Sequence, residues 1–107
     1  MAYGNTSLRP SVSVGNATPV KLFSTNTATR IGWRVVLPTT VTAGVGIRFL
    51  AVTAGATAPT AANMLIGASI RAEAGAVVVD EANAQLDIYA VAESGGPFTI
   101  QGEEILA

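Results

Sequence analysis

Cysteine and histidine are both absent from the 107 residues, and lysine occurs once, as Lys21. Without cysteine the chain has no disulfide, no thiolate nucleophile and no cysteine-type zinc site. Without histidine it lacks the commonest general base. Charge is scarce as well. Asp, Glu, Lys and Arg make up 12% of the sequence, against about 25% in a typical globular domain. The basic residues Arg9, Lys21, Arg30, Arg34, Arg48 and Arg71 are scattered, and the net charge is −1. Nucleic-acid binding draws on clustered cations, so no nucleic-acid partner is expected. Long apolar runs are missing too: none approaches the roughly 18 residues of a membrane span. The opening "MAYGNTSLRPSVSVG" has no apolar segment of signal-peptide type. The expectation is a soluble chain with no membrane partner.

What is present is small and apolar. Half the residues are hydrophobic, many of them alanine. A chain of this length makes one domain and buries roughly 65% of its unfolded surface. With so few charges, Thr, Ser, Asn and Gly must keep the surface wet, or part of it lies against a partner.

Met1 to Ser11 has no hydrophobic period and contains Gly4, Asn5 and Pro10, so residues 1–11 read as an extended arm. Residues 12–107 read as a single β domain. "SVSVGNATPVKLF" alternates, turns at Gly15-Asn16 and resumes with Val20 and Leu22. "RIGWRVVLP" puts Ile31, Trp33, Val35 and Leu37 on one side, Arg34 and Val36 on the other, and Pro38 closes it. In "GIRFLAV", Ile47, Phe49 and Ala51 alternate with Arg48, Leu50 and Val52. "TAGATAPTAANML" is a long Ala/Thr/Gly loop in which "APTAANMLI" has the composition of a short helix. "MLIGASIRAEAGAVVVDEA" reads as two short strands around Ala74-Gly75. Leu86 to Ala92 and Phe98 to Gln101 complete the set. Six to eight short strands with closely spaced glycine turns and no long amphipathic helix describe an all-β fold: a β-sandwich, jelly roll or small barrel.

The pair Gly95-Gly96 is no phosphate cradle. Such a loop leads into a helix, whereas Pro97 and the β-branched "FTIQ" follow here. The segment reads as the turn of a β-hairpin. The strand before it is apolar on both sides. Leu86, Ile88, Ala90 and Ala92 suit a core. Tyr89 and Val91 face the other way, between Asp87 and Glu93. A strand apolar on both faces is covered on both, and Tyr89 and Val91 are the expected oligomer interface, with a ring lying flat on its own sheet as the plainer reading.

No catalytic set emerges. In "KLFS", Lys21 and Ser24 reverse the Ser-x-x-Lys order. The carboxylates Glu73, Asp80, Glu81, Asp87, Glu93, Glu103 and Glu104 show no spacing that selects a glycosidase pair. Asp80, Asn83 and Asp87 in "DEANAQLD" do not match a calcium loop. No enzyme activity, cofactor or metal is expected. Trp33, the single tryptophan, suits the core better than a stacking platform for sugar or base.

Three stretches, "SVSVGNATPVKLF", "RIGWRVVL" and "AQLDIYAVAESGGPFTIQGEEI", resemble the small decoration or cement proteins of tailed-bacteriophage capsids. The central "PTTVTAGVGIRFLAVTAGATAPTAANML" is longer and richer in Ala and Thr than the compact hairpin of similar proteins. The resemblance implies a jelly-roll or β-sandwich domain and no catalysis. It implies a structural virion protein, made in the host cytoplasm and carried on the outer capsid surface. It would bridge major capsid subunits as a homodimer or homotrimer. In that setting Tyr3, Leu8 and Arg9 of the arm supply an aromatic, an aliphatic and a guanidinium able to anchor on a neighbouring subunit. The alternative is an adhesin-like or carbohydrate-binding module of a phage tail or fibre, with Trp33 or Tyr89 as the sugar platform.

Overall fold

The computed structural model describes residues 5–25, 29–66, 69–81 and 85–107. They form ten strands and one helix: β1 (Asn5–Leu8), β2 (Val12–Val14), β3 (Val20–Phe23), β4 (Arg30–Val36), β5 (Ile47–Val52), α1 (Ala61–Ile66), β6 (Ile70–Ala72), β7 (Val77–Asp80), β8 (Asp87–Ala92), β9 (Phe98–Ile100) and β10 (Gly102–Leu106). The sheet orders are β1-β10-β4-β7, β3-β8-β5-β6 and the pair β2-β9. Every ladder is antiparallel. Only β5 and β6 are both consecutive and paired. At every other connection the chain leaves one sheet for another.

That connectivity corrects the hairpin expected at Ser94–Pro97. Strand β8 is flanked by β3 and β5, so it has no free edge for a returning strand. The chain instead turns out through Gly95 and Gly96, with φ of 65° and 85°, and a cis Gly96–Pro97 bond. It then joins β2 as β9. Ten strands replace the expected six to eight because two were invisible to side-chain periodicity. One is β10, whose "GEEIL" looks like an acidic tail. The other is β1, within the segment read as an arm. Residues 5–8 lie along β10 of their own chain, held by backbone pairing that needs no apolar alternation.

The core lies between the two four-stranded sheets. Trp33, Val35 and Val78 come from one, and Phe23, Ile47, Phe49, Ile88 and Ala90 from the other. Val14, Phe98 and Ile100 join from the β2-β9 pair. Trp33 sits between Phe23 and Phe49, with ring centroids at 5.6 and 5.8 Å and tilts of 41° and 44°. Such tilted contacts add to area burial. Gly102 is required here: a Cβ at that position would run into the Phe23 ring.

Ile31 departs from the expected core face and is 38% exposed. The β4–β10 register slips between Ile105 and Leu106, and beyond that slip Arg30 is the buried residue. Its guanidinium is fully enclosed. It donates to Ser24 O at 2.8 Å, to Glu104 Oε2 at 3.0 Å and to Leu86 O, and lies 5.5 Å from the Phe23 ring centroid.

The helix reading holds. Thr60 caps α1, its Oγ1 accepting from Asn63 N at 3.2 Å. Ser69 Oγ donates to Met64 O at 2.6 Å at the other end.

Trp33→Ala should cost about 3–5 kcal/mol in denaturant unfolding, as for other buried aromatics. The Trp33 Nε1–H is buried without an acceptor among the described residues, a state that itself costs about 1–3 kcal/mol. Trp33→Phe, which removes that donor and keeps a ring, should therefore cost clearly less than Trp33→Ala.

Candidate interaction face

The two sheets differ in what covers their outer surfaces. On β3-β8-β5-β6, Leu50, Val52, Tyr89 and Val91 point away from the core, and α1 lies over them. Met64 is fully buried there with Val91 and with Tyr89, which is 8% exposed, and Ala61 packs alongside. The second apolar face of β8 is thus covered by the chain's own α1. Tyr89 and Val91 are interior residues of the subunit and not the expected oligomer interface. The same burial removes Tyr89 as a sugar platform, and Trp33, 1% exposed, is removed with it.

The outer face of β1-β10-β4-β7 has no such cover among the described residues. Residues directly opposite in an antiparallel ladder share a face. The registers Leu8↔Glu103, Glu103↔Arg34 and Arg34↔Val79 therefore make one row across all four strands. A second row contains Thr6, Ile105 and Gly32, and Val36↔Val77 lies on the other side. Leu8 is 64% exposed, Val36 49%, Val77 56% and Val79 52%. At the centre Arg34 Nε donates to Glu103 Oε1 at 2.9 Å. An open concavity of about 460 Å³ lies over Thr6, Arg34, Val79, Glu103 and Ile105. The arrangement is an aliphatic surface with one self-neutralised ion pair, suited to holding another protein surface by apolar contact.

The residues expected in the arm are divided. Tyr3 lies outside the described residues. Leu8 is on the bare face. Arg9 is turned to its own chain, 3.8 Å from Glu104 Oε1, and its N–H donates to Gly102 O at 2.9 Å.

The carboxylates are largely committed to cations. Glu103 and Glu104 are placed above. Asp87 accepts from Thr25 N at 2.6 Å and Thr25 Oγ1 at 2.8 Å, with Lys21 Nζ at 3.4 Å. Those hydroxyl and amide donors, helped by the nearby ammonium and opposed by burial, hold its carboxyl below the usual range. Lys21 also lies 5.8 Å from the Tyr89 ring centroid, so it is no partner for Ser24. Asn83 lies outside the described residues, and among those described no His/Cys/Asp/Glu group could hold a metal.

Glu93 accepts four hydrogen bonds. Cross-strand pairing sets Arg48 opposite Arg71, a like-charge juxtaposition. Glu93 Oε2 accepts from Arg48 Nε at 2.9 Å and Arg71 Nε at 2.8 Å. Its Oε1 accepts from Arg71 Nη2 and Gly46 N, both at 3.1 Å. The Arg71 and Arg48 hydrogen bonds lower its pKa to about 2. Glu73 takes a further Arg71 N–H.

No family model, no curated protein and no solved structure matches this chain.

Leu8 was the one residue of the bare face singled out from sequence. Arg34, Val36, Val77, Val79 and Glu103 were not, although Val36 was placed opposite Trp33. The available signal was the unbroken "VVVD", a run with no polar alternate.

Two outcomes follow from this geometry. Tyr89→Asp should lower stability by about 3–5 kcal/mol, the scale of a lost buried aromatic, measured by denaturant unfolding. Glu93 has a folded pKa below its ordinary value of 4.5. Its contribution is complete above about 4.5 and is lost as pH falls towards about 2. Asp87 acts in the same direction. The melting temperature should therefore fall across that acid window, and Glu93→Gln should flatten the fall while lowering the melting temperature at neutral pH.

Proposed function

We propose that the chain is a structural protein of a bacteriophage virion. It binds the outer surface of the capsid and stabilises contacts between major capsid subunits. The observation that carries the reading is the asymmetry of cover. One sheet has Tyr89 and Val91 of its outer face buried under α1, and the other leaves Leu8, Val36, Val77 and Val79 open around Arg34–Glu103. In so lightly charged a chain, an open aliphatic face of this kind is suited to a protein partner. The resemblance of the three sequence stretches to capsid decoration proteins supplies the class of partner.

The strand order supports a jelly roll as the finer description. When β1 and β2 are taken as one interrupted strand and β9 and β10 as another, the chain has eight strands in two facing sheets, with sequential strands alternating between them except at β5 and β6, which pair within one sheet. That architecture serves capsid and lectin proteins alike. A carbohydrate module, however, uses an exposed aromatic platform, and both rings available for that role are interior. Catalysis is not proposed: histidine and cysteine are absent, and Glu73, Asp87, Glu93, Glu103 and Glu104 are ion-paired. A single face would bind modestly, but repetition over a shell multiplies its effect.

Co-sedimentation with mature and with emptied capsids tests the reading. The protein should pellet with mature capsids. Val36→Lys/Leu8→Lys, at two exposed positions where surface substitutions change stability by only about 0.5 kcal/mol, should remain in the supernatant with an unchanged melting temperature. Wild-type protein that ignores both capsid forms, or a double variant that binds as wild type, would sink the proposal. Strong, specific binding on a glycan array would favour the carbohydrate reading.

A further inference from the structure

Strand β7 is an edge. It pairs with β4 on one side and with no described strand on the other. The direction of its backbone groups follows from one hydrogen bond. Leu37 N donates to Ala76 O at 2.9 Å, which marks Leu37 and Ala76 as a bonded position. Bonded and non-bonded positions alternate along an antiparallel ladder. In the register Trp33↔Asp80, Arg34↔Val79, Val35↔Val78, Val36↔Val77, the bonds to β4 therefore fall at Val78 and Asp80. Val77 and Val79 aim both N–H and C=O away from β4, at the open edge. Their side chains are the half-exposed valines of the bare face.

Other strand edges in the fold are blunted by devices that discourage strand addition. Strand β3 carries Lys21 and a register shift between Lys21 and Phe23. Strand β6 carries Arg71. Strand β1 runs into Arg9 and Pro10, β2 begins just after Pro10, and β9 follows Pro97 directly. The Val77–Val79 stretch has no charge, no proline and no bulge.

We propose that β7 is a homodimer edge. Two copies pair β7 against β7, antiparallel, about a two-fold axis through Val78, and join two four-stranded sheets into one of eight. In this register Val77 lies opposite Val79 of the second copy on either side of the axis. Each such pair exchanges both its N–H···O bonds, using the outward groups of Val77 and Val79. The interface is isologous, as two-fold contacts are. Valine pairing selects the register. Asp80 falls opposite Ala76 of the second copy, so the acidic ends Asp80–Glu81 lie at opposite ends of the joint. Sliding two residues one way sets Val77 opposite Glu81, and sliding the other way sets Val79 opposite Gly75. Each slide breaks up the valine pairing. In the chosen register Val77 and Val79 of both copies form one aliphatic strip across the axis. The pairing is independent of what the bare face binds.

Sedimentation equilibrium of the full chain tests it. The wild type should show a concentration-dependent dimer. Val79→Pro removes an N–H that points at the edge and fixes the local φ, and Val79→Lys places a charge beside that edge. Each should raise the dimer dissociation constant by about ten-fold or more, with a wild-type circular dichroism spectrum. The two variants fail for different reasons, so a folding defect in the proline chain leaves the lysine chain to decide. Val36→Lys, on the same face but one strand in from the edge, should keep the dimer. A wild type that stays monomeric up to about 200 μM, where even a weak dimer would show, overturns the proposal. So does a dimer that survives both Val79 substitutions. A dimer lost in Val36→Lys would mean that the copies meet face to face instead.

Discussion

The enclosed guanidinium of Arg30 holds the two sheets in one arrangement at one end of the domain. It begins β4, yet its donors reach the end of β3 at Ser24, the approach to β8 at Leu86, and Glu104 on β10. Arg9, just past β1, approaches the same Glu104. Burying a guanidinium costs several kcal/mol unless its hydrogen bonds are met, so these segments can take few other positions relative to one another. The arginine is a weak source of net stability but a strong constraint on geometry. The register slip that turns Arg30 inward also pushes Ile31 out, which makes the exposure of an isoleucine a consequence of satisfying a charge.

With the sheets fixed, their outer faces have different fates. The β5–β6 connection is the one place where consecutive strands pair. It is long enough to fold back as α1 over Leu50, Val52, Tyr89 and Val91. Arg48 and Ser69 tie its end down: the Arg48 guanidinium donates to Ser69 Oγ at 3.3 Å, and Ser69 donates to Met64 O. The opposite sheet has no chain among the described residues laid over its valines. One face becomes interior and the other remains available, although the two are similarly apolar in sequence. The available face runs to the unguarded β7 edge, so surface and edge form a single region of possible contact.

Local alternation located most of the strands, and composition located the helix at Ala61–Ile66. In β4, β5 and β8 the side facing the core was legible because Trp33, Phe49 and Ile88 recur with a period of two. Alternation did not reveal β1 or β10, where backbone pairing and ion pairs hold strands of Asn, Thr, Ser, Gly and Glu. The candidate site was legible only at Leu8. Its other members are valines and an arginine whose role depends on what fails to cover them.

The sequence by itself determined the class of this protein: a nearly all-β chain, lightly charged, without histidine or cysteine. Composition and periodicity are properties of neighbours along the chain, and those conclusions need nothing more. Only the tertiary structure decided which strands meet. Almost every ladder joins segments far apart in sequence, and a two-residue period says which side of a strand is apolar but not what lies against it. For that reason Tyr89 could be recognised as facing away from the core, while only the position of Met64 above it made the ring interior and left the valine face of the other sheet exposed.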